Sequence, residues 1–349
     1  MAMFRCVAYT DSMQEAWDRL AWSEGTVYHT TAFRQILLRS FGYRCRYHAV
    51  VDREDRIRAL LPLVGGRNLG LKQAGVSLPF INYCDIVSDS EEAFRFGLES
   101  LAELKERLRL GYIELRFKER SPDLPGWTEN LAHYTFVLPL SEDEEQVLAR
   151  SSGSNRNHVR KVYKNDWFET SFDTGHLDAF YNVYVRRMKQ LGSPAPSIRY
   201  FRQFFECLPD HAALLTVLDK ATRNVVGGML LVKSPGNSTV YYPYGANLIE
   251  YNGKYLNNFM YWEAVRFGIR SGMRYLDLGR SQAGSGTYKY KLQWGAEPVQ
   301  LSYRTYDGGS SVSGTPDKDR LRLFIELWKV APGFITMPVG ERLIKYLMP

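Results

Sequence analysis

A chain of 349 residues, 45% hydrophobic and 24% charged, holds enough material for two domains that each bury a core, and its composition excludes large-scale disorder. Its net charge of +7 favours polyanionic partners without choosing among tRNA, nucleotide sugars, coenzyme A and anionic lipid. Four scattered cysteines, Cys6, Cys45, Cys84 and Cys207, have no CxxC or Cys/His spacing, which argues against a zinc site and a disulfide framework. No segment has the apolar length of a signal peptide or a membrane span, so the expected location is the cytoplasm, with the inner face of the plasma membrane as an alternative.

In chain order, an opening strand near Phe4–Tyr9 precedes helices over Met13–Ser23 and Thr31–Phe41, the second capped by Thr30 or Thr31. The run YHAVVDREDRIRALLPLVGGR reads as a strand pair turning at Asp52. Leu71–Pro79 and Ile81–Val87 read as extended, Glu91–Leu110 as an amphipathic helix, and Tyr112–Phe117 as a buried strand. A turn over Ser121–Gly126 leads to a strand over His133–Leu140. A helical linker over Ser141–Lys164 then opens the second half, followed by strand Trp167–Phe172, helix His176–Leu191 and helix Ile198–Cys207. HAALLTVLDKATRNVVGGMLLVK repeats the strand pair with its turn at Asp219, and Ser234–Asn237 signals a further hairpin into Thr239–Ala246. Helix Leu256–Ser271, strand Tyr275–Arg280, a Gly/Ser turn, a short helix around Tyr288–Trp294 and strand Val299–Tyr306 complete this half. Asp307–Pro316 reads as a flexible connection to a tail of two amphipathic stretches broken at Pro332 and Pro338.

The chain thus states one plan twice: strand pair, long helix, and a closing strand, YIELRF in one half and YLDLGR in the other. Two such units suggest a cleft between them, where ligands are usually held. Between Arg150 and Lys164 the charge is all basic, and on a helix Arg156, Arg160 and Lys164 share one face, as either a solvated surface or a phosphate-binding stripe.

The run YLNNFMYWEAVRFGIRSGMRYLDLGRSQAGSGTYKYKLQWGAEP, with NHVRKVYKN and QLGSPAPSIRYF upstream and LFIELWK downstream, resembles the Fem family of peptidoglycan-bridge aminoacyltransferases. The similarity is greatest to Fem-type proteins associated with exosortase and exopolysaccharide loci. The resemblance implies an α/β (α+β) fold of two tandem GNAT-like domains, with a C-terminal helical tail packing back on the first. The expected boundaries are 1–140, a basic linker over 141–165, 166–307, and 308–349 for the connection and tail. The implied activity is amide formation between an activated acyl donor, aminoacyl-tRNA or acyl-CoA, and an amine. The implied acceptor is an anionic envelope or polysaccharide precursor; no bound cofactor, metal or DNA partner is implied.

Amide transfer needs a neutral amine, stabilisation of the tetrahedral oxyanion and two oriented substrates, and no covalent enzyme intermediate, consistent with the lack of a G-x-S-x-G elbow. By its place in the aromatic-Lys pair, the resemblance makes Lys291 the residue that supports the developing charge; a surface lysine is the alternative. Tyr290, Arg280 and Ser281, with Tyr244, Asn247 and Asn258, are the expected donor-binding residues. Arg280 alternatively pairs with Asp277 or Glu263. Asp85 in PFINYCD is the expected general base, although the family's glycine-rich continuation is missing. Arg39 and Lys189 lie where family members hold an anionic acceptor. The stretch Glu250–Lys254 lacks the glycine-rich phosphate loop of coenzyme A enzymes. Two other readings stay open: an acyl-CoA-dependent N-acyltransferase of unrelated substrate, and a non-catalytic module that binds an anionic glycan or lipid precursor.

Overall fold

The computed structural model describes residues 3–68, 72–118, 122–308 and 318–347. Most of the expected Asp307–Pro316 connection, and the start of the Ser121–Gly126 turn, lie outside the described residues. The strands are β1 (Arg5–Ala8), β2 (Arg44–Val51), β3 (Ile57–Arg67), β4 (Gln73–Ser77), β5 (Val87–Ser88), β6 (Tyr112–Lys118), β7 (Thr128–Pro139), β8 (Phe168–Ser171), β9 (Ala212–Asp219), β10 (Val225–Ser234), β11 (Thr239–Asn247), β12 (Tyr275–Asp277), β13 (Ser281–Gln282) and β14 (Glu297–Tyr306). The helices are α1 (Gln14–Glu24), α2 (Thr31–Phe41), α3 (Glu91–Arg107), α4 (Glu144–Arg150), α5 (Gly153–Asn165), α6 (Leu177–Leu191), α7 (Ile198–Cys207), α8 (Leu256–Arg270), α9 (Gly286–Leu292), α10 (Lys318–Val330) and α11 (Gly333–Leu347).

Local chemistry accounts for many boundaries. The Thr30 hydroxyl accepts the Phe33 N–H to start α2, and Gly42, at φ 65°, ends it in the left-handed region. Ser90 caps α3, which carries Glu91 and Glu92 in its first turn and Lys105 and Arg107 in its last, complementing the helix dipole. The expected linker helix is two helices, because Ser151 turns extended and Ser152 caps α5 afresh. Pro338 does not break the tail as expected; it lies inside α11, past the first turn, where the helix continues without the bond its N–H would have made.

All the strands join one sheet, in the order β1-β2-β3-β4-β6-β14-β7-β12-β11-β10-β9-β8. Read inwards from either edge, the two ends match: an antiparallel meander, then one parallel neighbour. β4 lies parallel to β6 with Ala74 beside Tyr112, and β11 lies parallel to β12 with Thr239 beside Tyr275. At the centre the halves exchange strands. β7, which follows β6 in the chain, pairs with β12, while β14, which follows β12, pairs with β6. An aromatic core crosses from one half to the other, with Phe33 against Phe204, Tyr28 against Tyr241, and Phe80 between Phe41 and Tyr200. The tail reaches both halves: the Tyr43 hydroxyl donates to the Lys345 carbonyl, and Tyr181 to Glu341.

Candidate active site

β11 and β12 run together for three residue pairs, ending at Tyr241 and Asp277, and then part. On β11 a bulge sets Tyr242 and Pro243 against one residue of β10; proline has no N–H to lose from the ladder there. Beyond β12, the Leu278 amide turns to the Phe136 carbonyl of β7, and Gly279 takes φ 77°. The parting leaves a narrow hollow of about 20 Å³ floored by Asp277 and Gly279 and walled by Tyr241, Tyr242 and the Phe80–Tyr83 segment of the first half.

Asp277 is buried and accepts three hydrogen bonds, from the Thr135 hydroxyl at 2.6 Å, the Gly279 amide at 2.7 Å and the Tyr83 hydroxyl at 2.7 Å. Three donors satisfy a carboxylate that burial would otherwise disfavour. Arg280 is not its partner, nor that of Glu263: the guanidinium donates to the Tyr303 hydroxyl, which donates to the Asn82 carbonyl. Glu263 instead takes bonds from Tyr163, Thr170 and Arg266.

Lys291 is 6% exposed. Ser285 caps α9, and one helical turn of register carries Lys291 inwards, where its ammonium donates to the Gly279 carbonyl at 2.9 Å and the Arg280 carbonyl at 3.1 Å. The Phe136 ring lies 5.3 Å from Nζ. Burial pushes the Lys291 pKa down to about 8; the Asp277 carboxylate opposes that shift and the Arg280 cation adds to it. An ammonium has three N–H donors, and two are occupied by carbonyls of the strand end, so one remains for a developing oxyanion.

Of the other expected donor residues, Ser281 is buried on β13 with its hydroxyl unpartnered, and Tyr290 packs edge-on against Tyr261. The structure therefore gathers Lys291, Arg280, Ser281 and Tyr290 around one strand end. Tyr244 borders the same hollow through the Phe80 carbonyl, and the others lie elsewhere. Tyr244 faces α6 and α7, among Tyr184, Tyr200 and Phe201, and donates to the Phe80 carbonyl. Asn247 bonds Asn252 within its own connection, and the Asn258 amide donates to Asn155, tying α8 to α5. Arg39 is exposed beside Cys207, and Lys189 lies against the tail near Trp328; neither lines the hollow. Asp85 lies in a neighbouring chamber. On the basic helix face, Arg156 folds back to the Ala149 and Ser151 carbonyls and Arg160 approaches Glu145, so the stripe is partly neutralised.

The corresponding gap of the first half is filled. Beyond Val76 and Glu114, where β4 and β6 part, the segment 78–85 lies in the space. The Arg116 guanidinium donates to the Ile81 carbonyl, and Cys84 pairs across to Arg116. Ile81–Val87 is accordingly not the continuous strand expected: apart from the single bridge at Cys84, pairing is confined to Val87 and Ser88, and Leu78 and Phe80 take φ values of 57° and 70°. Non-glycine residues rarely adopt that region, and the bonds from Arg116, Tyr244 and Tyr303 hold the segment there. Tyr83, Thr135, Arg116 and Tyr303 were not singled out from the sequence; Asp277 was visible in YLDLGR, but only as a partner for Arg280. Among the described residues no group of side chains forms a metal-binding cluster, and no helix is long and apolar enough to cross a membrane.

Residues 154–292 match the family model described as an acetyltransferase (GNAT) domain. The fold is similar to that of FemX, with a TM-score of 0.68, 14% identity and coverage of 86% of this chain and 96% of that one. L-PGS from Bacillus licheniformis aligns with a TM-score of 0.57 and 11% identity over 91% and 97% of the two chains. A tandem GNAT protein from the clavulanic acid biosynthesis pathway aligns with a TM-score of 0.56 and 13% identity over 88% and 100%. No protein of curated function matches the sequence at a significant level.

Proposed function

We propose that this chain, whose residues 154–292 match an acetyltransferase (GNAT) domain and whose fold is similar to FemX and a tandem GNAT protein, is an acyltransferase whose second half transfers an acyl or aminoacyl group from an activated carrier to an amine of a cell-envelope or polysaccharide precursor. The observation that carries this reading is Lys291, a buried ammonium with one donor to spare beside the hollow where β11 and β12 part. Attack of a neutral amine on the donor ester or thioester carbonyl places negative charge on the carbonyl oxygen, and Lys291 is the group suited to meet it. Collapse re-forms the C=O bond and breaks the bond to the carrier oxygen or sulfur. The proton lost by the amine ends on that leaving group. Asp85, in the neighbouring chamber, is the proposed base for the acceptor amine. The first half, its gap occupied by its own chain, supports the acceptor rather than a second donor.

The donor has two candidate classes. Aminoacyl-tRNA follows from the Fem-like pattern. An acyl thioester is favoured by one observation: α8 begins without a side-chain cap, next to Lys161 and to His158 stacked on Tyr255, an arrangement that suits phosphate. The test is a transfer assay with each donor class against envelope precursors analysed by mass spectrometry, using wild type and Lys291→Met. Methionine matches the length of the lysine stem and removes only the ammonium, while Asp277 keeps its three hydrogen bonds. Turnover should fall at least ~100-fold with an unchanged circular dichroism spectrum. Full turnover in the variant would refute the assignment, and an unchanged cellular role would favour the binding module.

A further inference from the structure

The C-terminal tail turns apolar residues outwards. On α11 the stripe facing the protein is Thr336, Gly340 and Ile344, buried at one-turn spacing, while Met337, Pro338 and Val339 face water. On α10 Trp328 is buried, yet Leu327 and Val330 are 58% and 79% exposed. A surface helix ordinarily keeps such residues on its inner side. Of the eleven large apolar side chains exposed among the described residues, five belong here: Leu327, Val330, Met337 and Val339, with Leu191 at the end of α6. They share one region of the surface, since a Cβ on Gly192 would meet Ile325 of α10, and one on Gly340 would meet the Trp328 ring and Pro194. Scattered exposed apolar residues need no explanation, whereas five gathered together mark an interaction site.

The charge around this region says what covers it. Residues 330–340, VAPGFITMPVG, carry none, and Lys329 and Arg342 flank them. Lys189 lines the crevice beside Trp328 and Met337, and Lys345 lies over the Tyr346 ring. Two nearby acids are already engaged: Glu326 pairs with Lys329 at 2.8 Å, and Glu341 accepts the Tyr181 hydroxyl. Among the described residues no carboxylate pairs with Lys189, Arg342 or Lys345. An apolar centre with an unneutralised basic rim is complementary to an anionic lipid surface. A twofold contact with a second copy would instead set the basic rim against itself. Because no helix among the described residues is long and apolar enough to cross a membrane, the tail suits lying on a bilayer rather than spanning it.

We propose that the α10–α11 turn docks this protein on an anionic bilayer, with Leu327, Val330, Met337 and Val339 entering the boundary between headgroups and acyl chains while Lys189, Arg342 and Lys345 meet lipid phosphates.

The test is flotation of the full chain with vesicles of phosphatidylcholine alone, or of phosphatidylcholine mixed equally with phosphatidylglycerol. Wild type should bind the anionic vesicles at least ~10-fold better than the neutral ones, and lose most of that preference between about 0.05 and 0.5 M salt. Leu327→Glu combined with Val330→Glu should weaken anionic-vesicle binding at least ~10-fold and leave the thermal midpoint in place, because both side chains are exposed. Should that pair unfold the protein, Arg342→Gln alone should weaken binding about 5-fold. Wild type that binds neither vesicle, or a folded double variant that binds as well as wild type, would overturn the proposal. So would self-association of wild type in sedimentation that the double variant abolishes, since the face would then belong to a second copy. Vesicle binding needs no acyl donor, so this result and the transfer assay stand or fall separately.

Discussion

Lys291 and His29 are two buried bases shifted in the same direction by the same cause, loss of water around the charged form. Their consequences fall in different pH windows. If protonated Lys291 supports the oxyanion, the Lys291-dependent rate should decline as pH rises through about 8, and the Lys291→Met residual rate should lack that limb. The stability effect has the opposite sense. Between about 8 and the ordinary lysine value of 10.5 the unfolded chain binds more protons than the folded one, so this group makes stability rise with pH there. For His29 the window lies between the ordinary 6.5 and about 4: the unfolded chain is protonated first, and stability is lost as pH falls. At ~1.4 kcal/mol per pKa unit the loss approaches about 3 kcal/mol at the acid end. Urea titrations at neutral pH and near pH 4.5 should show it in wild type and much less of it in His29→Gln; an equal loss in both would assign the effect elsewhere.

Among the elements, the turn over Pro235–Asn237 has the tightest fit. It docks on the end of α1, where a side chain on Gly236 would place Cβ 1.9 Å from the Trp22 carbonyl oxygen. That oxygen is backbone and cannot swing aside. Gly236→Ala should therefore cost about 2–3 kcal/mol, seen as a lower urea midpoint, whereas Gly253→Ala, with open space around it, should stay within about 0.5 kcal/mol. A neutral Gly236→Ala would show that the turn moves freely off α1. The same docking brings the Ser234 hydroxyl to the Val27 amide, which donates to it at 3.0 Å. Segment 78–85 makes the complementary point. Leu71–Pro79 and Ile81–Val87 read as extended from the sequence, yet bonds from Arg116, Tyr244 and Tyr303 hold 78–85 in turns across the first-half gap.

At the scale of the whole molecule, the exchange of β7 and β14 makes each half depend on the other. Residues 1–140 expressed alone would present the β6 edge without β14, and β7 without either partner. We expect that fragment to be insoluble or unfolded by circular dichroism, and to recover structure only when co-expressed with 141–349; a folded, monomeric 1–140 would contradict this. The full chain should correspondingly unfold in one transition, because the aromatic core also spans both halves. Much of this architecture was legible in the sequence. Helix periods, capping residues, the repeated strand pair and the aromatic-Lys pair at Tyr290 and Lys291 are local, and local chemistry determined them: where helices start, which strand faces are buried, that the plan occurs twice, and that Lys291 deserved scrutiny. Tertiary structure alone decided which edge each strand joined, that one gap is filled and the other open, and that Asp277 bonds Tyr83 and Thr135, 194 and 142 residues away, rather than Arg280. The reason is physical. Side-chain alternation specifies the two faces of a strand, but its edges are backbone and nearly identical in every sequence, so their pairing is settled only when the whole sheet closes.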